Sequence, residues 1–240
     1  MNLCFPNEKI DEWFGFKRHI FDFQGRNAWV VEPEKAAAGN PWTWCMEWPS
    51  AFVPRTGVPE LLKKGFHHVH LQAFGHGNDE DQKAFAAFHD FLTETLGLAK
   101  KCGLIGMSFG GLYSCRFAAF NPEKVACIYL DAPLCNFFHF NHVELVIEEY
   151  GLKRKADYFD LPGLPVNLAP QLKDFPILLI YGKTDDVVPA DVNCEMLLAR
   201  LEVQNGSGKV DVIARNAWGH HPHGLDDVTP IIDFMTANCC

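Results

Sequence analysis

"GLIGMSFGGLYS", residues 103–114, places one serine, Ser108, between two glycines at the point where an apolar run gives way to an amphipathic one. The run "CGLIGM" ahead of it is short and apolar enough for a buried strand, and "GLYSCRFAAF" behind it is patterned as a helix that stops at "NPEK". A serine on so sharp a strand-to-helix turn is forced toward a strained backbone angle, and side chains two residues to either side would collide across the turn. Gly106 and Gly110 remove those side chains, so the spacing predicts an exposed hydroxyl above the end of a strand, with the free N–H groups of a helix start beside it. G-x-S-x-G is common by chance, and its weight here comes from lying between a strand and a helix.

The same alternation continues in both directions. "KRHIFDF" and "NAWVVEP" read as early strands, "VPELLKKG" as a helix stopped by Gly65, and "FHHVHLQAFG" as a strand. "DEDQKAFAAFHDFLTETLGL" opens with acids and carries Phe85, Phe88, Leu92 and Leu96 along one helical stripe. Further on come strand "VACIYLDAP", a variable stretch from about Leu134 to Asp174, strand "PILLIYG", helix "NCEMLLARLE", strand "KVDVIARN" and helix "TPIIDFMT". Alternating strands and helices imply crossover units and a mainly parallel, doubly wound α/β sheet flanked by helices, within one domain over 1–240.

The chain's 240 residues, 48% hydrophobic and 21% charged, suit a globular chain with a substantial core. A net charge of -9 disfavours nucleic acid and anionic membrane, leaving a small molecule as the expected partner. The start "MNLCFPNEKIDEW" lacks the pattern of a leader, and no window approaches a membrane span, so a cytoplasmic protein is expected. Nine cysteines without paired spacing suit reduced, mostly buried thiols, with "NCC" at the end an exposed site of oxidation. The glycine loops "FGHGN" and "NGSGK" carry no phosphate-binding fingerprint, and no cofactor is expected.

A serine hydroxyl needs a base to become a nucleophile, and the base needs an orienting acid. "YGKTDDVVP" sets Asp185 and Asp186 after one apolar strand, and "WGHHPHGL" sets His220, His221 and His223 after the next. Asp131, ending "VACIYLD", is a rival acid. With "GMSFGG", "GKTDDVVP" and "GHHPHGL" in the order Ser, Asp, His, the chain resembles a serine hydrolase of the α/β-hydrolase superfamily over nearly its whole length. "NPWTW" and "NPEKVACIYLDAPLCN" are similar to an esterase-like branch often associated with sugar-related enzymes. The resemblance implies Ser108 as nucleophile, Asp185 as acid and His220 as base. It also implies a small lid inserted at about 134–174.

One departure stands out: the usual histidine-glycine pair after the third strand is absent, and "NPWTWCMEW" takes its place. The backbone N–H of Phe109 is the first expected oxyanion donor, and Trp42 the second. Trp42, Trp44 and Trp48 either line an acyl or sugar pocket or hold a loop down, and Trp44 with Phe137 from "NFFHFNH" are taken as substrate contacts. The clusters "HHVH" and "HHPH" invite a zinc reading, but in a strand His68 and His70 face one way and His67 the other, so no metal is expected. Of the three histidines near the end, His220 follows Gly219, which frees the backbone to turn. His221 precedes Pro222 and is biased to extended backbone. The expected function is hydrolysis of short-chain or carbohydrate-linked carboxylic esters through an acyl-enzyme. Alternatives are a lipase or a peptidase or amidase on the same residues, or a binding module that retains the fold.

Overall fold

The computed structural model describes residues 3–138, 140, 143–158, 161–206 and 209–239. Its strands are β1 (Lys9–Trp13), β2 (Phe16–Phe23), β3 (Arg26–Val31), β4 (Trp42–Cys45), β5 (His67–Leu71), β6 (Cys102–Met107), β7 (Val125–Asp131), β8 (Ile177–Gly182) and β9 (Val210–Arg215). They form one sheet in the order β1-β2-β3-β5-β4-β6-β7-β8-β9. The first three and β5 are antiparallel neighbours, whereas everything from β5 to β9 is parallel. Two-residue loops suffice for the antiparallel meander, and the parallel part needs helical crossovers.

The helices are α1 (Val58–Lys63), α2 (Asp79–Asp90), α3 (Phe109–Phe120), α4 (Val143–Glu149), α5 (Ala169–Leu172), α6 (Cys194–Val203) and α7 (Thr229–Cys239). Two cores result, one on each face of the sheet. Phe85, Phe88, Leu112, Phe117, Leu172, Leu197 and Leu201 bring α2, α3, α5 and α6 onto one face, and Leu61, Ile231 and Met235 bring α1 and α7 onto the other. Asn78 caps α2 by accepting the N–H of Asp81 at 3.0 Å, and the acids that follow complement the helix dipole.

Two strands were not expected. β1 is a partly polar edge strand whose alternation is too weak to announce itself. β4 is four residues long, fully buried, and seated between β5 and β6, with Trp44 opposite Val69 on one side and Leu104 on the other. Side chains on both faces of such a strand are buried, so the period-two signature vanishes. "WTWC" is therefore the middle of the sheet, not a loop.

Between β7 and β8 lie α4, a 3-10 turn at Lys155–Tyr158 and α5. The part of the expected insertion, and of "NFFHFNH", at 139, 141–142 and 159–160 falls outside the described residues. Among the eight described cysteines all are unbonded, six of them buried. Cys239 is half-buried beside Cys127, with 3.4 Å between their sulfurs, so this end of "NCC" packs inward; Cys240 lies outside the described residues. Among the described residues no helix is long and apolar enough to cross a membrane.

Candidate active site

Ser108 stands between β6 and α3 with φ 49° and ψ -119°, a conformation that L-residues avoid and that persists only where the surroundings impose it. Two bonds impose it: Ser108 N–H donates to Asp131 O at 3.0 Å, and Leu134 N–H donates to Ser108 O at 2.8 Å. The glycines divide the work differently from the expectation. A Cβ on Gly106 would sit 2.8 Å from Gly110 O and Ser114 Oγ, and one on Gly111 would sit 2.2 Å from Pro133 Cβ. At Gly110 the nearest atoms, Glu47 Cβ and N, are 3.3 Å away, so the third glycine is the more crowded of the pair after the serine.

His220 Nε2 lies 3.1 Å from Ser108 Oγ, and its Nδ1 lies 2.8 Å from Asp185 Oδ2. Asp185 Oδ1 accepts the N–H groups of Val187 at 2.9 Å and Val188 at 2.8 Å. Burial alone would raise this carboxyl, but the bonds from His220 and from the two amides outweigh it and hold Asp185 below the usual carboxylate range. An ionised Asp185 accepts the hydrogen bond from His220 Nδ1–H, and this tautomer leaves Nε2 with a lone pair facing the serine hydroxyl. The three residues come from the ends of β6, β8 and β9, the edge of a parallel sheet where chemistry gathers.

The rival acid has another partner. Asp131 Oδ1 accepts from His223 Nδ1 at 2.7 Å, and its Oδ2 accepts from Tyr129 Oη at 2.7 Å and from Gly224 N at 2.8 Å. His221 is exposed and stacks on Phe52 at 5.5 Å; burial and the neighbouring His220 and His223 hold its imidazole below the ordinary value.

A cavity of about 510 Å³ opens over Ser108 and His220, walled chiefly by Trp48, Phe52, Leu134, Phe140, Val187 and Val188. Trp42, Trp44 and Phe137 take no part in it. Trp42 and Trp44 are wholly buried in β4; Trp42 Nε1 donates to Ala99 O at 2.7 Å, and Trp44 packs edge-on to Phe85, Phe88 and Phe117. Phe137 is buried against Phe140 and Tyr150, one layer behind the wall. The tryptophan at the cavity is Trp48, just beyond the strand, where φ is 57° and its N–H goes only to its own neighbour, Glu47 Oε1, at 3.2 Å. Burial raises the Glu47 carboxyl despite the bonds from Trp48 and Tyr113. Because β4 runs from Trp42 to Cys45, both expected tryptophans are taken up in the sheet, and the cavity is met by Trp48, six residues beyond the first and four beyond the second.

A family model described as the alpha/beta hydrolase fold matches residues 47–175. The chain belongs to the α/β-hydrolase family. No curated protein sequence matches this α/β-hydrolase at a significant level. Among solved structures it is similar to the dipeptidyl peptidase 4 of Porphyromonas gingivalis, with TM-score 0.70 and 16% identity over 96% of this chain and 35% of that one. It thus spans about a third of that protein's length. An S-formylglutathione hydrolase from Agrobacterium tumefaciens aligns with TM-score 0.65 and 16% identity, covering 97% and 96% of the two chains. An esterase of Pyrococcus furiosus aligns with TM-score 0.64 and 15% identity, covering 98% and 99%. At these identities the likeness is one of fold.

Proposed function

We propose that this α/β-hydrolase is a cofactor-independent serine hydrolase of small carboxylic esters. The observation that carries the reading is the unbroken line from Asp185 through His220 to Ser108, opening on an apolar cavity. In this reading His220 Nε2 takes the hydroxyl proton as Ser108 Oγ attacks the acyl carbon, and the resulting imidazolium is stabilised by Asp185. The tetrahedral oxyanion collapses as the protonated imidazole passes its proton to the leaving alcohol, and water repeats the cycle on the acyl-enzyme.

The oxyanion needs two donors. The N–H of Phe109, at the start of α3, is one, and we assign the other to Trp48 rather than Trp42. Trp48 lies on the turn beyond β4, beside the cavity, and its N–H is held only by a 3.2 Å bond that a carbonyl oxygen replaces. The walls are aromatic and aliphatic, and a cavity of about 510 Å³ has room for a small ester. The peptidase and lipase alternatives use the same three residues, and substrate preference separates them.

The test is labelling with a fluorophosphonate, followed by turnover of p-nitrophenyl acetate, butyrate, octanoate and laurate. Wild type is expected to label at Ser108 and to prefer the shorter esters, with Ser108→Ala folded and unlabelled. A folded wild type that never labels overturns the reading, and a kcat/KM rising steeply to laurate replaces the esterase by a lipase.

A further inference from the structure

We propose that His220, His221 and His223 form a binding site for a divalent transition metal, zinc above all, inside the cavity beside Ser108. Ester hydrolysis needs one imidazole, and this loop delivers three. One nitrogen from each ring lies within 4.8 Å of the others, and the ring centroids are 4.8 to 5.0 Å apart.

Two of the rings are already prepared as ligands. Nδ1 of His220 is tied to the buried carboxylate of Asp185 at 2.8 Å, and Nδ1 of His223 to the buried carboxylate of Asp131 at 2.7 Å. A carboxylate on one ring nitrogen fixes the tautomer and leaves the other nitrogen as a basic lone pair, the arrangement that supports histidine ligands of zinc. Tyr129 and the Gly224 amide fix Asp131 in turn. His221 supplies the adjustable third ligand, since its ring is exposed.

Zinc–nitrogen bonds of about 2.0–2.1 Å put tetrahedral ligands about 3.4 Å apart, so nitrogens that already lie within 4.8 Å of one another need close by at most about 1.4 Å. The charges agree as well. Asp185 and Asp131 set two buried carboxyl groups behind the three rings, and the exposed Asp186 stands on the cavity wall. Arg55, a cation close to the cluster, donates to the backbone oxygen of His223 and is paired with Asp226. Ser108 Oγ lies 3.1 Å from His220 Nε2, at the edge of the cluster. A bound metal takes the lone pair that His220 offers the serine proton, so metal and turnover exclude each other. That inhibition rests on the hydrolase reading; the binding does not.

The test is calorimetric titration of zinc into the Ser108→Ala protein under a phosphine reductant, repeated with His221→Ala and His223→Ala, with cobalt(II) absorption as a second readout. One equivalent is expected, weakened at least tenfold by either histidine change, with a visible cobalt band that disappears in both. His221→Ala alters an exposed ring and keeps the test sound if His223→Ala fails to fold. Absence of stoichiometric binding overturns the proposal. Equal binding by His221→Ala also does, because it moves the metal to cysteines or to the His19 and His76 carboxylate pairs. In the wild type, zinc should abolish ester turnover and a chelator restore it. Failure of metal-free protein to turn over any ester sinks the hydrolase reading and leaves the calorimetry standing.

Discussion

Lowering the pH should unfold this protein through two histidines that play no part in its chemistry. His68 and His70 are buried on one face of β5: His68 Nδ1 lies 2.8 Å from Thr43 Oγ1 and its ring stacks on Trp13, and His70 Nδ1 donates to Cys45 O at 2.9 Å beside Trp29. Burial, reinforced at His68 by the charge His70 would carry, pushes their pKa values from 6.5 to about 3 and about 4. A depressed folded pKa means the stability is fully present above the ordinary imidazole value and is lost as pH falls toward the folded one. At pH 5 each ring is protonated in the unfolded chain and neutral in the folded one. At about 1.36 kcal/mol per pH unit, each costs about 2 kcal/mol relative to pH 7, or about 4 kcal/mol for the pair. For a chain of this size that corresponds to about 8–16 °C in Tm. Calorimetric scans at pH 7 and pH 5 measure the drop, and His70→Gln, which keeps an N–H donor for Cys45 O, should remove about half of it. An NMR titration in which either ring protonates above pH 5.5 in the folded protein would refute the reasoning.

Other expectations follow from the same contacts. Gly111→Ala should abolish folding or activity, since its Cβ would lie 2.2 Å from Pro133, whereas Gly110→Ala, whose Cβ would meet Glu47 at 3.3 Å and ask it to shift by only a few tenths of an ångström, should fold and keep measurable turnover. Trp44→Ala should cost about 3–5 kcal/mol of stability in denaturant melts, and Trp48→Ala should leave stability nearly unchanged while raising KM for esters. Asp185→Asn should lower kcat by orders of magnitude. Asp131→Ala, by stranding Tyr129, His223 and the Gly224 amide, should cost about 3 kcal/mol or more in Tm-derived stability; a larger kcat loss than that of Asp185→Asn would exchange their roles.

The sequence exposed the elbow because its chemistry is local: a strained serine and the residues that relieve it lie within a few positions. The order of strands and helices was readable for a similar reason, since α2 and α3 carry their patterns in one window. β4 was opaque because burial on both faces erases alternation, and four residues are too few to replace it with length. That single omission moved the expected contacts to Trp42 and Trp44. Phe137 was misplaced for a different reason: an aromatic-rich segment does not reveal which ring faces the cavity, and here Phe140 does. The pairing of His223 with Asp131 joins residues 92 positions apart and has no local signature.

The seating of β4 between β5 and β6 also bears on how the chain is made. The meander of β1, β2 and β3 closes on itself as it leaves the ribosome. Trp42 to Cys45 instead emerge early; β5 can cover one edge once Leu71 is made, but the other edge stays open until β6 is complete at Met107. At 5–20 residues per second, the intervening stretch of about sixty residues takes about 3–12 s to synthesise. Throughout that interval two large indoles and an open strand are exposed to other nascent chains. Fragments that stop before residue 107 should therefore be insoluble and bind chaperones, whereas fragments extending through β6 should be markedly less so.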